Sequence, residues 1–179
     1  MQHNHISTAT DTGIDESLYS RQLYVLGFEA MRRMLNSNVL IINVRGLGVE
    51  VAKNVALAGV RSLTLWDQSP TASTDLAAQF FLTEADIGRP RAAACASRIA
   101  ELNEYVPVKV LDVPADQLFT AVTFAAYQVI VLLDGDKEQK LKASRLARQA
   151  QAAFIAANVR GLFGAVFCDF GPSFVVSDV

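Results

Sequence analysis

A glycine-rich turn, Ile42-Asn43-Val44-Arg45-Gly46-Leu47-Gly48-Val49-Glu50, joins an apolar run to a helical pattern. The run at 39–42 contains only valine, leucine and isoleucine, which is typical of a buried strand. The pattern at 51–58 has apolar residues at helical spacing and is closed by Gly59. A strand, a glycine turn and a helix in this order predict the first unit of a parallel α/β sheet.

Alternating strand and helix patterns continue along the chain. Further strands are predicted at 62–66, 106–113, 129–133 and 154–157, with a hairpin at 165–167 and 174–177 around Gly171-Pro172. Helices are predicted after a cap at Asp15 or Ser17, and at 76–81, 91–102, 116–124 and 138–150. Because buried parallel strands are continuous apolar runs, we expect an α/β fold, a Rossmann-like doubly wound, mostly parallel sheet with flanking helices.

The composition limits the classes of function. The chain has 179 residues, 51% apolar and 19% charged, which is enough for one domain with a core. The net charge of −2 gives no reason to expect a nucleic acid partner. We find no apolar run of the ~20 residues that a membrane helix needs, and no secretion signal. Residues 1–14 are polar and without period, so a disordered tail is predicted.

The two cysteines give no sign of a metal site or a nucleophile. Cys95 and Cys168 are not part of a Cys-x-x-Cys motif, so structural zinc is not expected. The two histidines, His3 and His5, lie in the polar tail, away from either cysteine in the sequence. Both cysteines are therefore interpreted as small residues of the core.

The glycine turn departs from the dinucleotide-binding pattern Gly-x-Gly-x-x-Gly. With Gly48 as the last glycine, Asn43 and Arg45 occupy the first two glycine positions. The backbone at the second position must approach the pyrophosphate, and Arg45 should fill that space, whereas asparagine tolerates left-handed geometry. Asp67, at the end of the second strand, is where a ribose-binding acid belongs. We therefore predict a nucleotide site with a spoiled phosphate cradle, in which Gly46 and Gly48 serve close helix–strand packing. The alternative is that Arg45 turns outward and binds phosphate itself.

Several motifs closely resemble the N-terminal region of ubiquitin-activating enzymes. They are Tyr19–Gly27 (YSRQLYVLG), Arg45–Asn54 (RGLGVEVAKN), Asp86–Arg91 (DIGRPR), Arg160–Gly164 (RGLFG) and Phe167–Gly171 (FCDFG). The resemblance covers residues 15–179. It implies a protein with two related adenylation domains, of which the second makes ubiquitin adenylate from ATP, and a separate domain with the catalytic cysteine. This chain matches the first, inactive adenylation domain. In the family that domain is interrupted near Val179 by an inserted half-domain, so we expect an incomplete fragment of the adenylation fold.

The resemblance also implies which site residues have changed. The active domain handles ATP phosphates with an Asn-x-x-Arg-Gln-Phe motif, and here Asp75 replaces the asparagine and Ala78 the arginine. Arg91 replaces a lysine, and the metal-binding aspartate falls near Asp134, where the alignment can slip by one residue. We expect no metal, no cofactor and no catalytic residue in this chain. The degenerate site then consists of Asn43, Arg45, Gly46, Gly48, Asp67, Asp75, Ala78 and Arg91.

Arg21 is the exception to this degeneration. In the family's symmetric bacterial relatives, an arginine of the N-terminal helix reaches into the ATP site of the other subunit, and Arg21 matches that position. The resemblance implies that the partner is the active adenylation domain of the same full-length chain, which binds ATP and Mg, and through it ubiquitin. It also implies a cytoplasmic and nuclear location. Two alternatives remain: a regulatory subunit of a SUMO- or NEDD8-activating heterodimer, and an NAD-dependent oxidoreductase, against which Arg45 argues.

Overall fold

The computed structural model describes residues 16–175, so the predicted tail at 1–14 and the possible cap Asp15 lie outside the described residues. The strands are β1 (Asn38–Ile42), β2 (Ser62–Trp66), β3 (Val108–Val110), β4 (Val129–Leu133), β5 (Ala153–Arg160) and β6 (Phe163–Asp169). The helices are α1 (Glu16–Leu35), α2 (Gly46–Ala58), α3 (Arg91–Ala100), α4 (Ala115–Leu118), α5 (Ala121–Phe124) and α6 (Lys137–Gln149). Two 3-10 turns lie at Ser73–Ala77 and Glu84–Asp86.

The six strands form one sheet in the order β3-β2-β1-β4-β5-β6. The first five are parallel to their neighbours, and β6 alone is antiparallel, to β5. The chain moves outward from β1 in one direction and then returns to the other side through β4. The carboxyl ends of β1 and β4 therefore meet at a topological switch point. The Rossmann-like, doubly wound, mostly parallel fold class is confirmed.

Both faces of the sheet are covered, since alternate residues of a strand point to opposite sides. On one face, Ile41 packs in a cluster with buried residues of α2 and with Cys95 of α3. On the other face, Leu40 packs in a cluster with Ala143 of α6 and Phe124 of α5. Because β1 and β4 are the central strands, they are buried on both sides, which explains their continuous apolar runs.

None of the helices at 16–175 has the length and apolarity that would let it span a bilayer.

The predicted hairpin is wrong in its position. The turn lies at Gly161-Leu162, between β5 and β6, and not at Gly171-Pro172. Gly161 has a φ of 59°, the positive angle that the first position of a type II′ hairpin turn needs. Residues 174–175 are not in a strand, and residues 176–177 lie outside the described residues.

Local hydrogen bonds change two predicted helices, and the first helix begins one residue before Ser17, so that Ser17 lies inside α1. The helix expected at 116–124 is divided into α4 and α5 because the hydroxyl of Thr120 accepts a hydrogen bond from the backbone N–H of Thr123 and begins a new helix. The helix expected at 76–81 is replaced by the 3-10 turn, in which the carboxylate of Asp75 accepts from the N–H of Ala72 at 2.9 Å.

The strand expected at 106–113 is also shorter than predicted. It is an edge strand whose one partner within the described chain is β2, and the ladder between them runs over three residue pairs. Pro107 has no N–H to donate, although its carbonyl accepts from Leu63 at 3.0 Å. The regular strand is therefore limited to Val108–Val110.

The start of α2 lies very close to the end of β1. A Cβ on Gly48 would lie 2.0 Å from the backbone oxygen of Asn43 and 3.6 Å from Cδ1 of Leu133. Asn43 has a φ of 71°, in the left-handed region, and its Nδ2 donates to the carbonyl of Leu133 at 2.7 Å. This is the close helix–strand packing expected of Gly48. Gly46 differs, because a Cβ there would lie 3.0 Å from Cβ of Ala78, in a loop and not in a strand.

We expect Gly48→Ala to reduce the free energy of unfolding by about 3 kcal/mol, at the upper end of the usual cost of overpacking. The obstacle is a backbone carbonyl, which cannot rotate aside as a side chain can. Urea denaturation followed by circular dichroism measures the loss. Gly164→Ala is the matched control, because the nearest atom to its Cβ would be the Asn158 oxygen at 3.7 Å. Equal midpoints for the two variants would contradict the constraint.

Candidate functional site

The switch point gathers residues that are distant in the sequence. Asn43 follows β1, Asp67 follows β2 and Asp134 follows β4, so all three lie at the carboxyl edge of the sheet. Arg91, the first residue of α3, reaches the same edge through its contact with Asp67. Asp75, in the first 3-10 turn, reaches it through its contact with Arg91. Ligands of open α/β sheets bind at such an edge. This group is therefore the candidate site.

Arg91 links two carboxylates inside the protein. Its Nε donates to Oδ2 of Asp67 at 2.8 Å and its Nη2 to Oδ1 at 3.3 Å, while Nη1 donates to Oδ2 of Asp75 at 3.0 Å. The side chains are 5% exposed for Arg91, 1% for Asp67 and 10% for Asp75. We call these three residues the ion triad. A fourth hydrogen bond joins Nη1 to the carbonyl of Pro70 at 3.3 Å.

The surroundings of Arg91 and Asp75 favour the charged forms of these two side chains. Burial of Arg91 works against its charge, but the hydrogen bonds and charges of Asp67 and Asp75 outweigh burial and raise the pKa of Arg91. Burial of Asp75 likewise works against its charge, but the Ala72 amide and the Arg91 guanidinium lower the pKa of Asp75. The guanidinium therefore keeps its charge inside the fold, balanced by the two carboxylates.

Asp67, the expected ribose-binding acid, is fully engaged in the protein. Besides Arg91, its Oδ2 accepts from the N–H of Val44 at 3.1 Å, and its Oδ1 accepts from the N–H of Ser69 at 3.1 Å. Each carboxylate oxygen thus accepts two hydrogen bonds. A ribose hydroxyl would have to displace one of these donors in order to bind.

Arg45 and Ala78 lie beside the glycine turn, where the dinucleotide pattern would place the phosphates. Arg45 is the residue before α2, with an extended backbone (φ −69°, ψ −165°) and an exposed side chain. Its charge contributes to the lowered pKa of Asp75, after the larger effects of Ala72 and Arg91. Ala78 packs against Gly46, so a methyl group lies beside the start of α2.

Gln79 is a residue of this site that sequence reasoning missed. It is 1% exposed, its Nε2 donates to the carbonyl of Val44 at 3.3 Å, and its Oε1 accepts from the N–H of Phe81 at 2.9 Å. It joins the loop after β2 to the turn after β1. The signal that could have found it is the motif itself, in which glutamine persists while Asp75 and Ala78 have replaced their counterparts.

Asp134 is paired within the protein and has no cluster of further ligands. Its Oδ1 lies 3.6 Å from Nη1 of Arg160 and 3.5 Å from the backbone nitrogen of Val159. In the part of the chain that the structure describes, no group of three or more histidine, cysteine, aspartate or glutamate side chains could hold a metal ion.

The two cysteines differ from each other. Cys95 is buried in the core, as expected, and burial raises the pKa of its thiol to about 12. Cys168 is exposed, so its interpretation as a core residue is wrong. It lies on β6, the last strand of the sheet, where within residues 16–175 no further strand or helix covers its side chain.

Arg21 does not join the candidate site. It is exposed on α1 and lines a cleft of about 750 Å³ together with Leu57 and the loop at 101–105. Leu57 is near the end of α2 and the loop follows α3, so both precede the next strand and lie toward the amino ends of the strands. Arg21 therefore lies at the amino ends of the strands, and the ion triad lies at their carboxyl ends.

Comparison with known proteins gives consistent results. The sequence model of the ThiF family matches residues 19–169. The chain is 50% identical over 179 residues to "Ubiquitin-activating enzyme E1 1" of Schizosaccharomyces pombe, which covers 99% of this chain and 17% of that protein. It is 48% identical over 167 residues to "Ubiquitin-like modifier-activating enzyme 7" of Mus musculus, and this alignment covers 92% of this chain and 16% of that protein. The chain thus spans less than a fifth of the length of these curated relatives.

The backbone is also similar to a solved structure. The crystal structure of E. coli MccB with succinimide superimposes with a TM-score of 0.66 at 17% sequence identity, over 79% of this chain and 44% of that one. At this identity the similarity shows a shared fold.

We expect Arg91→Ala to reduce the free energy of unfolding by about 3–5 kcal/mol, because two buried carboxylates lose their cation. Arg32→Ala is the control, since Arg32 pairs with Glu29 on the surface with side chains 65% and 57% exposed. Such an exposed pair contributes about 0–1 kcal/mol. Chemical denaturation of both variants measures the difference. An Arg91→Ala variant as stable as Arg32→Ala would show that the ion triad does not hold the carboxyl edge together.

Proposed function

The chain belongs to the ThiF family, and we propose that it is the inactive adenylation part of a ubiquitin-activating enzyme. In this role it supports the active, ATP-binding adenylation domain of the same full-length protein and donates Arg21 to that domain's ATP site. The observation that carries the proposal is the placement of Arg21 at one edge of the sheet while a closed, self-paired site occupies the other.

The chemistry of the ion triad supports an inactive site. A working site offers free cations and amide N–H groups to the phosphates. Here the charge of Arg91 is already balanced by Asp67 and Asp75, and the triad carries one net negative charge. A triphosphate would meet this negative charge and the methyl group of Ala78. ATP and Mg are therefore assigned to the partner domain.

The surroundings of Arg21 support donation to a partner. Large apolar side chains on the same helix are exposed, including Tyr24 at 93%, Val25 at 77% and Phe28 at 51%. Exposed apolar groups of this size indicate a surface that another protein surface covers. An arginine within such a surface enters the interface when the partner docks, and its planar guanidinium can bind phosphate oxygens through two nitrogens.

A second apolar surface supports a large partner. It is formed by β6, the end of β5 and the segments that flank β6, and within the described chain β6 pairs with β5 alone. Strands with an unpaired edge and apolar side chains are sites of association. The exposed apolar residues of this surface are Val159, Leu162, Phe163, Val166, Phe167, Phe170, Phe174 and Val175.

Two alternatives are less well supported. A regulatory subunit of a SUMO- or NEDD8-activating heterodimer would use the same surfaces. The quoted relatives, one named as activating ubiquitin and one as activating a ubiquitin-like modifier, are several times longer than this chain, which favours the single-chain type. An NAD-dependent oxidoreductase needs a ribose acceptor, and both oxygens of Asp67 are already bonded. We place the full-length protein in the cytoplasm and nucleus, as the resemblance implies.

In the full-length enzyme, we expect Arg21→Ala to slow ATP–pyrophosphate exchange by about 10²–10³-fold, the usual effect of removing one donor to a developing charge. Thermal stability should not change, because the side chain is exposed. Arg32→Ala, on the same helix, is the control and should leave exchange unchanged. Normal exchange by the Arg21→Ala enzyme would remove the proposed donation.

We expect Mg-ATP to leave the thermal unfolding of the 179-residue chain unchanged. A ligand at 100 times its dissociation constant would stabilise the fold by about 2.7 kcal/mol, which shifts the midpoint by several degrees. Arg45→Gly alone should not restore binding, since Asp75 and Ala78 remain. A clear shift with ATP in either protein would contradict the closed site, and a shift with NAD would favour the oxidoreductase.

A further inference from the structure

The first helix is attached to the domain by two buried side chains. Among residues 17–35, Tyr19 is 7% exposed and Met31 is fully buried, while the other side chains are exposed or half-buried. Between these two anchors Gly27, with φ 75° and ψ 165°, interrupts the helix. Because this backbone region is accessible essentially to glycine alone, Gly27 divides α1 into two segments. The first segment carries Arg21, and Tyr19 is its one buried anchor.

The ring of Tyr19 occupies a space that a glycine leaves open. A Cβ on Gly59 would lie 2.5 Å from Oη, 2.7 Å from Cζ and 2.8 Å from Cε1 of Tyr19. Gly59 follows α2 and has a φ of 83°, in the left-handed region that favours glycine. Because glycine has no side chain, it also leaves room for the ring. The phenol therefore packs directly on the backbone at the end of α2.

Asn103 completes the attachment of Tyr19. Its Nδ2 donates to the carbonyl of Ala56 at 2.9 Å and to Oη of Tyr19 at 3.4 Å. Its own Oδ1 accepts from the N–H of Tyr105 at 3.1 Å, which orients the amide. The phenol is thus connected to the ends of both α2 and α3, at the wall of the cleft that Arg21 also lines.

We propose that Tyr19, seated on Gly59 and hydrogen-bonded by Asn103, is a positioning residue that aims Arg21. The inference rests on the proposed function, because it concerns how the donated arginine is placed. Tyr19 has non-helical backbone angles (φ −105°, ψ 15°), as Gly27 does, so the helical segment that carries Arg21 lies between two breaks in the helix. The buried ring fixes the start of this segment, on which Arg21 is exposed two residues further on. Without this anchor, the first segment would move about Gly27 and Arg21 would lose its direction.

The first test measures the position of the segment in the 179-residue chain. Spin labels are placed at Ser20 and Glu138, which are both exposed, in a Cys168→Ser background that leaves the buried Cys95 unlabelled. Electron–electron double resonance then gives the distribution of distances between the labels. We expect Tyr19→Ala at least to double the width of this distribution, and Tyr19→Phe, which keeps the ring, to change it much less. Equal widths for Tyr19→Ala and the unmutated chain would overturn the proposal.

The second test separates positioning from general stability, in the full-length enzyme. We expect Tyr19→Ala to lower the kcat of ATP–pyrophosphate exchange at least tenfold with little change in KM for ATP. The double variant Tyr19→Ala/Arg21→Ala should be no slower than Arg21→Ala alone, because groups that act through one another are not additive. Leu118→Ala, a fully buried change elsewhere in the core, is the stability control and should keep kcat. Additive losses in the double variant would overturn the proposal.

The outcomes distinguish the two proposals. If Arg21→Ala leaves exchange unchanged, the donation fails and the positioning role fails with it. If Arg21→Ala slows exchange but Tyr19→Ala neither broadens the distances nor lowers kcat, only the positioning role fails. Should Tyr19→Ala not fold, Asn103→Ala replaces it in both tests. It removes the hydrogen bond to the phenol, and it should broaden the distances and lower kcat in the same direction by a smaller factor.

Discussion

The carboxyl edge of this sheet depends on the two ion pairs that the buried guanidinium of Arg91 makes. The guanidinium joins the start of α3 to the end of β2 through Asp67, and it brings the 3-10 turn to the same place through Asp75. Asp67 in turn accepts from Val44, so the turn after β1 is connected to the same charge. Without a cation between them, the buried carboxylates of Asp67 and Asp75 would repel each other. The turn after β1, the first 3-10 turn and the start of α3 therefore all depend on one side chain.

This arrangement changes the meaning of the substitutions in the motif. From the sequence, Asp75 and Arg91 are two separate departures from an ATP-binding pattern, one adding a negative charge and one exchanging a cation. In the structure they are partners at 3.0 Å. A guanidinium can bond Asp67 through two nitrogens and Asp75 through a third, whereas the point charge of a lysine cannot repeat this planar geometry. Asp75 and Arg91 are thus explained together, by a contact that they make with each other inside the protein.

The sequence predicted the fold well and the site only in part. Buried strands such as β1 and β4 are visible as apolar runs because both of their faces are covered. The hairpin was misplaced because Gly171-Pro172 is the stronger local turn signal, while the true turn at Gly161-Leu162 depends on the register of β5 with β6. Asp67 was found by its distance from the glycine turn. Its pairing with Arg91 could not be, because a contact over 24 residues depends on how α3 packs beside β2. Cys168 was misjudged because no local pattern shows that β6 is an edge.

The carboxyl and amino ends of the strands differ in how their loops and helices are attached, and this difference fits the supporting role that we propose. At the carboxyl edge, the ion triad and the further hydrogen bonds of Asp67 connect the loops to one another. At the amino edge, the segment that carries Arg21 is held by one aromatic ring and a glycine pivot, and apolar side chains beside it are exposed. In the function that we propose, the self-paired carboxyl end keeps the fold together without a bound nucleotide, while the anchored segment at the amino end presents Arg21 beside the apolar surface that the partner covers.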